Sequence, residues 1–205
     1  MRNSMILSAY RTAGRVLAPT AGLILARRIQ RGKEDPERRG ERLGRASCER
    51  AEGPLVWVHA ASVGETIAVL PLIDRIRAQG PSVLLTTGTK TSAKLAAERV
   101  GDGVVHQYVP LDFAPFVERF LDHWRPDIAV FVESEIWPSI TAALRERRIP
   151  QLLVNGRMSE RSFRRWQKSR RIIEELLGGL SLCLAQSPAD GDRFLVGRGE
   201  RDAER

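Results

Sequence analysis

From Leu55 onward the chain alternates short apolar runs with longer stretches in which apolar residues recur at helical spacing. The runs are Leu55–Val58, Val83–Thr87, Val104–Val109, Ile128–Val132, Leu152–Val154 and Leu180–Ala185. They are short, rich in β-formers and bounded by turn residues, which predicts buried strands. A helix is expected after Ser62, with Glu65 in its first turn and Pro71 near its middle or early end. Others are expected over Ser92–Arg99, over Ala114–Trp124 with Phe116, Phe120 and Leu121 on one face, and over Pro138–Arg147. One long helix is expected across Arg161–Leu177, and Ser187-Pro188 reads as an N-cap with proline at the first helical position. Strand–helix alternation with apolar strands predicts an α/β fold: a Rossmann-like parallel sheet covered on both faces. No G-x-G-x-x-G is present, and GTKTS at Gly88–Ser92 lacks the spacing of a P-loop, so neither a dinucleotide nor an ATP function is supported.

Upstream the pattern changes. In residues 1–31, apolar Ile6, Leu7, Tyr10, Val16, Leu17, Leu23, Ile24 and Leu25 are interrupted by Arg11, Arg15 and Pro19. The longest charge-free stretch, Val16–Ala26, is about half of what a membrane-spanning helix needs. Arg27, Arg28 and Arg31 follow. A secretory signal fits poorly, because arginine lies within the apolar region. Two readings stand: an interfacial membrane anchor with arginines on anionic headgroups, or a terminal helix packed on its own or another domain. Residues 32–53 read as a charged linker with a helical piece around GERLG at Gly40–Gly44, of the kind that is usually solvated surface. Residues 54–205 form the expected Rossmann-like lobe.

Composition narrows the partners. The 205 residues are 42% hydrophobic and 28% charged, as in a globular chain, and the formal net charge is +8. That balance favours anionic partners: nucleic acid, acidic lipid or phosphorylated substrates. Nucleic acid rests on charge alone, without a recognition motif and with only 6% aromatic residues, so no nucleic-acid partner is expected. Cys48 and Cys183 are far apart and have no zinc-type spacing, which points to a reducing compartment and no metal site.

The candidate chemistry lies where strands empty into helices. LVWVHAASVGETIAVLPL, Leu55–Leu72, reads as strand, sharp turn and helix, with Ser62 as a capping hydroxyl and Glu65 in the first turn. Helix N-termini at strand tips are where α/β sheets hold ligands. Glu65 can be catalytic there, or can simply answer the helix dipole. His59 reads by default as a satisfied core histidine. Glu133 and Glu135, in VESEIWP after the Ile128–Val132 strand, fall on the same sheet edge; one of them capping the Pro138 helix is the alternative. Asn155 and Arg157 follow the next strand tip, where Arg157 can contact ligand or anchor its loop. Arg161, Arg165 and Lys168 share one helix face, a basic flank for lipid phosphate or membrane, or a solvated surface. Phe163, Trp166, Ile173 and Leu177 form an apolar stripe on the same expected helix.

HAASVGE (His59–Glu65), ESEIWP (Glu133–Pro138) and NGRMSERS (Asn155–Ser162) resemble the successive motifs of the 3-deoxy-D-manno-oct-2-ulosonic acid (Kdo) transferases. GERLG and AQSPADGDRF (Ala185–Phe194) fit the same family, in order and over nearly the whole chain. The resemblance implies a two-lobed glycosyltransferase of the GT-B type on the cytoplasmic face of the bacterial inner membrane. Such enzymes move Kdo from CMP-Kdo to the lipid A precursor of lipopolysaccharide, with inversion and without a cofactor. It implies Glu65 as general base and Glu133 as transition-state stabiliser; Ser62, Gly64, Glu135, Asn155 and Arg157, at the same strand tips, are the substrate-binding candidates.

The resemblance also implies a C-terminal CMP-sugar lobe, and a G-x-x-K-F-D type segment before it, that these 205 residues lack. The chain alone is therefore expected to be the acceptor-binding lobe, binding acceptor or membrane but turning over little. The competing expectation is a non-catalytic membrane-bound module that binds anionic lipid.

Overall fold

The computed structural model describes residues 5–133, 136–167 and 169–198. Its centre is a six-stranded sheet, β1 (Leu55–His59), β2 (Ser82–Thr87), β3 (Val104–Tyr108), β4 (Ile128–Val132), β5 (Gln151–Gly156) and β6 (Leu182–Ala185). The spatial order is β3-β2-β1-β4-β5-β6, and every pairing is parallel. This is the α/β, Rossmann-like arrangement the apolar runs predict. The order reverses direction between β1 and β4, so the crevice at their C-terminal ends is the sheet's switch point.

Parallel strands need crossovers, and here these are α4 (Val63–Ala78), α5 (Lys90–Arg99), α6 (Ala114–Trp124), α7 (Pro138–Glu146), α8 (Glu160–Gln167) with α9 (Arg170–Leu177), and a final α10 (Pro188–Arg198). Successive strand residues face opposite sides of the sheet. In β1, Val56 and Val58 join Val83, Leu85, Val130 and Val132 on the face covered by Val69 and Ile73 of α4 and Ala96 of α5. Leu55 and Trp57 join Leu84 and Phe131 on the other, against Phe120, Trp124, Ile140, Leu176 and Phe194. Trp57 is fully buried, yet its Nε1–H donates to Thr86 Oγ1 at 2.8 Å, so its polar end is satisfied. Pro71 lies inside α4 without ending it.

Two expectations change and a third gains detail. The single helix across Arg161–Leu177 is two helices, because Ser169 leaves helical geometry (φ −122°, ψ 41°) and stands at the N-cap position of α9. The charged residues 32–53 are not a solvated run. GERLG forms the short helix α3 (Arg39–Arg42) and a turn, and Glu34, Glu41 and Arg42 are buried. Arg42 donates to Glu34, to Val109 O at 3.1 Å and to Gly88 O at 2.6 Å, while Glu41 accepts the Tyr108 N–H at 2.7 Å. The segment thus straps the tips of β2 and β3.

The third concerns the N-terminus, which forms α1 (Met5–Leu17), a 3-10 turn over Ala18–Thr20 and α2 (Ala21–Gln30). Arg11 and Arg15, which interrupt the apolar pattern in sequence, turn toward the lobe. Arg11 bonds Glu118 and Glu146, and Arg15 bonds Glu118 at 2.7 Å. Leu7 joins the core beside them. Val16, Leu17, Leu23 and Ile24 remain exposed, Val16 at 72% and Leu23 at 68%. No described helix is long and apolar enough to cross a membrane.

Candidate functional site

Glu65 and Glu133 leave the two strands that flank the switch point. Ser62, the N-cap of α4, accepts the Glu65 N–H at 3.3 Å. The Glu65 carboxylate turns back and accepts the Ala61 N–H through Oε2 at 2.8 Å. This is the capping-box exchange shifted one residue upstream. It holds Glu65 at the helix start, only 7% exposed, in a fixed orientation. Gly64 stands between them in the first turn, where an added Cβ would meet nothing closer than Ser62 Oγ at 4.0 Å.

Glu133 follows β4 with φ of 59°, a left-handed conformation that glutamate rarely adopts. Its N–H still donates to Val154 O at 3.0 Å, extending the ladder to β5. Asn155, on the next strand, also has a positive φ, 54°, beside a register shift between Leu153 and Gly156. Asparagine tolerates that region; glutamate there costs on the order of 1–3 kcal/mol, a strain typical of functional positions. Glu135 and Lys168 lie outside the described residues, as does the Arg165 side chain. Arg157 is exposed next to buried Met158, and Arg161 is exposed on α8. The structure thus brings Glu65, Ser62 and Gly64 to one side of the switch point and Glu133 and Asn155 to the other. The α8 arginine lies beyond β5.

His59 is fully buried, with Nδ1 2.9 Å from Thr86 Oγ1 and its ring edge-on to Phe131 and Trp137. It packs the tip of β1 against the loop that carries Glu133, as a core histidine would. GTKTS builds the turn from β2 into α5, where Thr89 and Ser92 form a reciprocal capping box.

Two further acids organise the loops beside these strand tips. Asp112 caps α7, which has no side-chain cap of its own: Oδ2 accepts the Ser139 N–H at 3.1 Å and Oδ1 the Ile140 N–H at 3.0 Å. Tyr10 of α1 donates to the same carboxylate at 3.1 Å. Burial pushes Asp112 up to about 6, with those amide bonds pulling the other way. Asp190, at the third position of α10, accepts from Ser187 Oγ at 2.5 Å and from the Met158 N–H at 2.8 Å, and these bonds hold it below the usual carboxylate range. Arg193, one turn on, donates to Met158 O at 2.6 Å. Together they fix the loop that follows Asn155 and Arg157. S-P-A-D signals a cap in the sequence, but nothing local shows that it also reaches Met158.

A pair of acids with one at a helix N-terminus can accept a proton from an incoming hydroxyl and steady positive charge on a sugar. Among the described residues no group of three or more His, Cys, Asp or Glu is placed to hold a metal ion.

A family model described as 3-deoxy-D-manno-octulosonic-acid transferase (kdotransferase) matches residues 37–201. The chain is 36% identical over 182 residues to the 3-deoxy-D-manno-octulosonic acid transferase of Rickettsia bellii (strain RML369-C), covering 87% of this chain and 43% of that protein. It is 35% identical over 189 residues to a probable mitochondrial 3-deoxy-D-manno-octulosonic acid transferase of Arabidopsis thaliana, covering 90% and 42%. It is 38% identical over 194 residues to the Bordetella pertussis 3-deoxy-D-manno-octulosonic acid transferase, covering 90% and 45%. The chain therefore spans less than half the length of these curated relatives.

Proposed function

Because the chain belongs to the Kdo transferase family of glycosyltransferases, we propose that it is the acceptor-binding lobe of a Kdo transferase of GT-B type. In this reading the whole enzyme moves Kdo from CMP-Kdo to the lipid A precursor in lipopolysaccharide synthesis, with inversion, at the cytoplasmic face of the bacterial inner membrane. The donor site belongs to a second lobe, and no cofactor is needed. The observation that carries the proposal is the placement of Glu65 and Glu133 on either side of the switch point, with Glu65 fixed at the start of α4.

Glu65 acts as general base. An alcohol is far too weak an acid to be deprotonated beforehand by a carboxylate. The proton passes to Glu65 Oε1, the oxygen not committed to Ala61, as the new C–O bond forms and the CMP leaving group departs. Such catalysis is worth roughly 10²–10⁴-fold. Glu133 stabilises the oxocarbenium-like sugar, as carboxylates do in glycoside chemistry. The alternative for Glu133 is to hold a cationic partner. Ser62, Gly64, Asn155 and Arg157 contact the acceptor in this reading, Glu135 is a further binding candidate by its place in the ESEIWP motif, and Arg161, Arg165 and Lys168 are the candidates for lipid phosphate by their spacing in the sequence. Replacing the matching segment of the Haemophilus influenzae 3-deoxy-D-manno-octulosonic acid transferase with this chain tests the reading. A folded hybrid is expected to transfer Kdo, and one that does not would sink the assignment.

A second reading, a membrane-bound module that binds anionic lipid without catalysis, is favoured by one observation. Val16, Leu17, Leu23 and Ile24 are exposed just before the basic Arg27, Arg28 and Arg31. The patch suits an interfacial anchor in either reading. Sedimentation with anionic vesicles, lost at high salt and in Leu23→Asp, is expected of the anchor. Catalysis by the hybrid separates the two readings.

A further inference from the structure

Beyond β5, helices α8, α9 and α10 enclose a cavity of about 540 Å³, within the size range of small-molecule sites. Its walls are mostly apolar, with Met158, Phe163, Trp166, Ile173 and Val196, and Gln167 as the one uncharged polar side chain among its described lining. Arg193 also lines it, but its guanidinium is committed to Met158 O and to Glu160 at 3.1 Å. The walls make few polar demands, so the space suits hydrocarbon better than a sugar or nucleotide. The segment beside it is basic: Arg157, Arg161, Arg164 and Arg171 are exposed, and Glu160 is the one acid between Arg157 and Arg171 in the sequence. The cavity starts at Met158, three residues after Asn155, on the edge of the sheet where Glu65 and Glu133 lie.

We propose that this cavity takes a hydrocarbon chain of an acylated, phosphorylated acceptor lipid, whose anionic head rests on the basic flank and whose hydroxyl reaches the switch point. The proposal rests on the acceptor-lobe reading and adds where the lipid's apolar part goes. Burying a chain in an apolar cavity gains about fourfold in affinity per methylene. Phosphate on the flank adds charge-assisted bonds that a neutral head cannot make.

The test uses n-octyl, n-decyl and n-dodecyl phosphate below their micelle thresholds, with dodecyl maltoside as the neutral comparison, measured by calorimetry on the 205-residue chain. Affinity is expected to rise about tenfold or more from octyl to decyl, and dodecyl maltoside to bind at least tenfold more weakly than dodecyl phosphate. Val196→Trp, which fills the cavity from a residue 39% exposed, should weaken dodecyl phosphate at least tenfold. A flat chain-length series, equal binding of the two heads, or unchanged binding by a folded Val196→Trp would overturn the proposal.

A second measurement does not depend on that variant folding. Of the four tryptophans, Trp166 lines the cavity, Trp57 and Trp124 are fully buried in the sheet's core, and Trp137 is half-buried just before α7. A terminally brominated dodecyl phosphate should quench emission in the native chain and lose most of that quenching in Trp166→Phe. Equal quenching in both would place the ligand elsewhere. These readouts are of binding. If they fail while the hybrid transfers Kdo, the cavity proposal falls alone; if they succeed while the hybrid is inactive, the transferase reading falls alone.

Discussion

Replacing Gly44 with alanine should cost far more than replacing Gly53, although both have positive φ, 76° and 82°. An L-residue in that conformation costs about 1–2 kcal/mol by itself. At Gly53 nothing lies within 4 Å of an added Cβ, so that is the whole cost. At Gly44 the new Cβ would lie 2.0 Å from Phe116 O. The obstacle is backbone at the start of α6, and no rotamer change relieves it. The loop must move, and it is tied by Arg42 to Gly88 and Val109, by the Leu111 N–H to Arg42 O, and by Arg119 to Leu43 O. Overpacking of this kind adds about 1–3 kcal/mol. The sum is about 3 kcal/mol for Gly44→Ala against about 1–2 for Gly53→Ala. In a chain of this length that lowers the melting temperature by about 6–12 °C and about 2–8 °C respectively. Thermal unfolding of both variants side by side is the assay. If Gly44→Ala melts no lower than Gly53→Ala, the close approach to Phe116 is not what requires the second glycine of GERLG.

Other consequences follow from single groups. Asp112→Ala strips a side-chain cap from α7 and should cost about 2 kcal/mol, lowering the melting temperature by about 4–8 °C and speeding amide exchange at Ser139 and Ile140. Glu133→Gly should melt higher than Glu133→Ala, because both lack the carboxylate and only glycine accepts φ of 59° freely; equal melting temperatures would argue against strain at that tip. His106 should titrate near 4, because burial and then Arg38 and Arg42 hold it well below 6.5. Its Nδ1 accepts from Arg38, which can only donate, so the ring is neutral and Nε2–H donates to Thr87. Since the folded value is the lower one, this group's contribution is full above 6.5 and is lost as pH falls through about 4. The total is about 3 kcal/mol. His106→Gln should flatten that part of the acid-stability curve, and imidazole NMR shifts read the titration directly.

The strands were legible because parallel strands buried on both faces are short, continuously apolar and flanked by turns, as Leu55–Val58 and Ile128–Val132 are. The positions of the motif acids were legible because Glu133 directly follows such a run and Glu65 comes just after the Ser62 turn that starts the next helix. What escaped depends on partners distant in sequence. Arg11 and Arg15 break an apolar pattern in the chain, but meet Glu118 and Glu146 in space. Glu41 and Arg42 read as solvated charge because the Tyr108 amide and the Gly88 and Val109 carbonyls they satisfy lie 46 to 67 residues away in the sequence. Asp112 serves a helix that starts 26 residues later. Local periodicity also carried the expected helix straight across Ser169, where the structure divides it and so shapes the cavity. The left-handed turn at Glu133 has no sequence signal, since glutamate does not favour it.

The proposed role of Glu65 is tested most directly by the single-turnover rate of Kdo transfer, at saturating CMP-Kdo and acceptor, in the hybrid enzyme with and without Glu65→Gln. Glutamine keeps an oxygen to accept from Ala61 but cannot take the proton. A rate lower by roughly 10²–10⁴-fold, with acceptor affinity unchanged, is what general-base catalysis predicts. A variant that transfers as fast as the unsubstituted hybrid would leave Glu65 as no more than the cap of its helix.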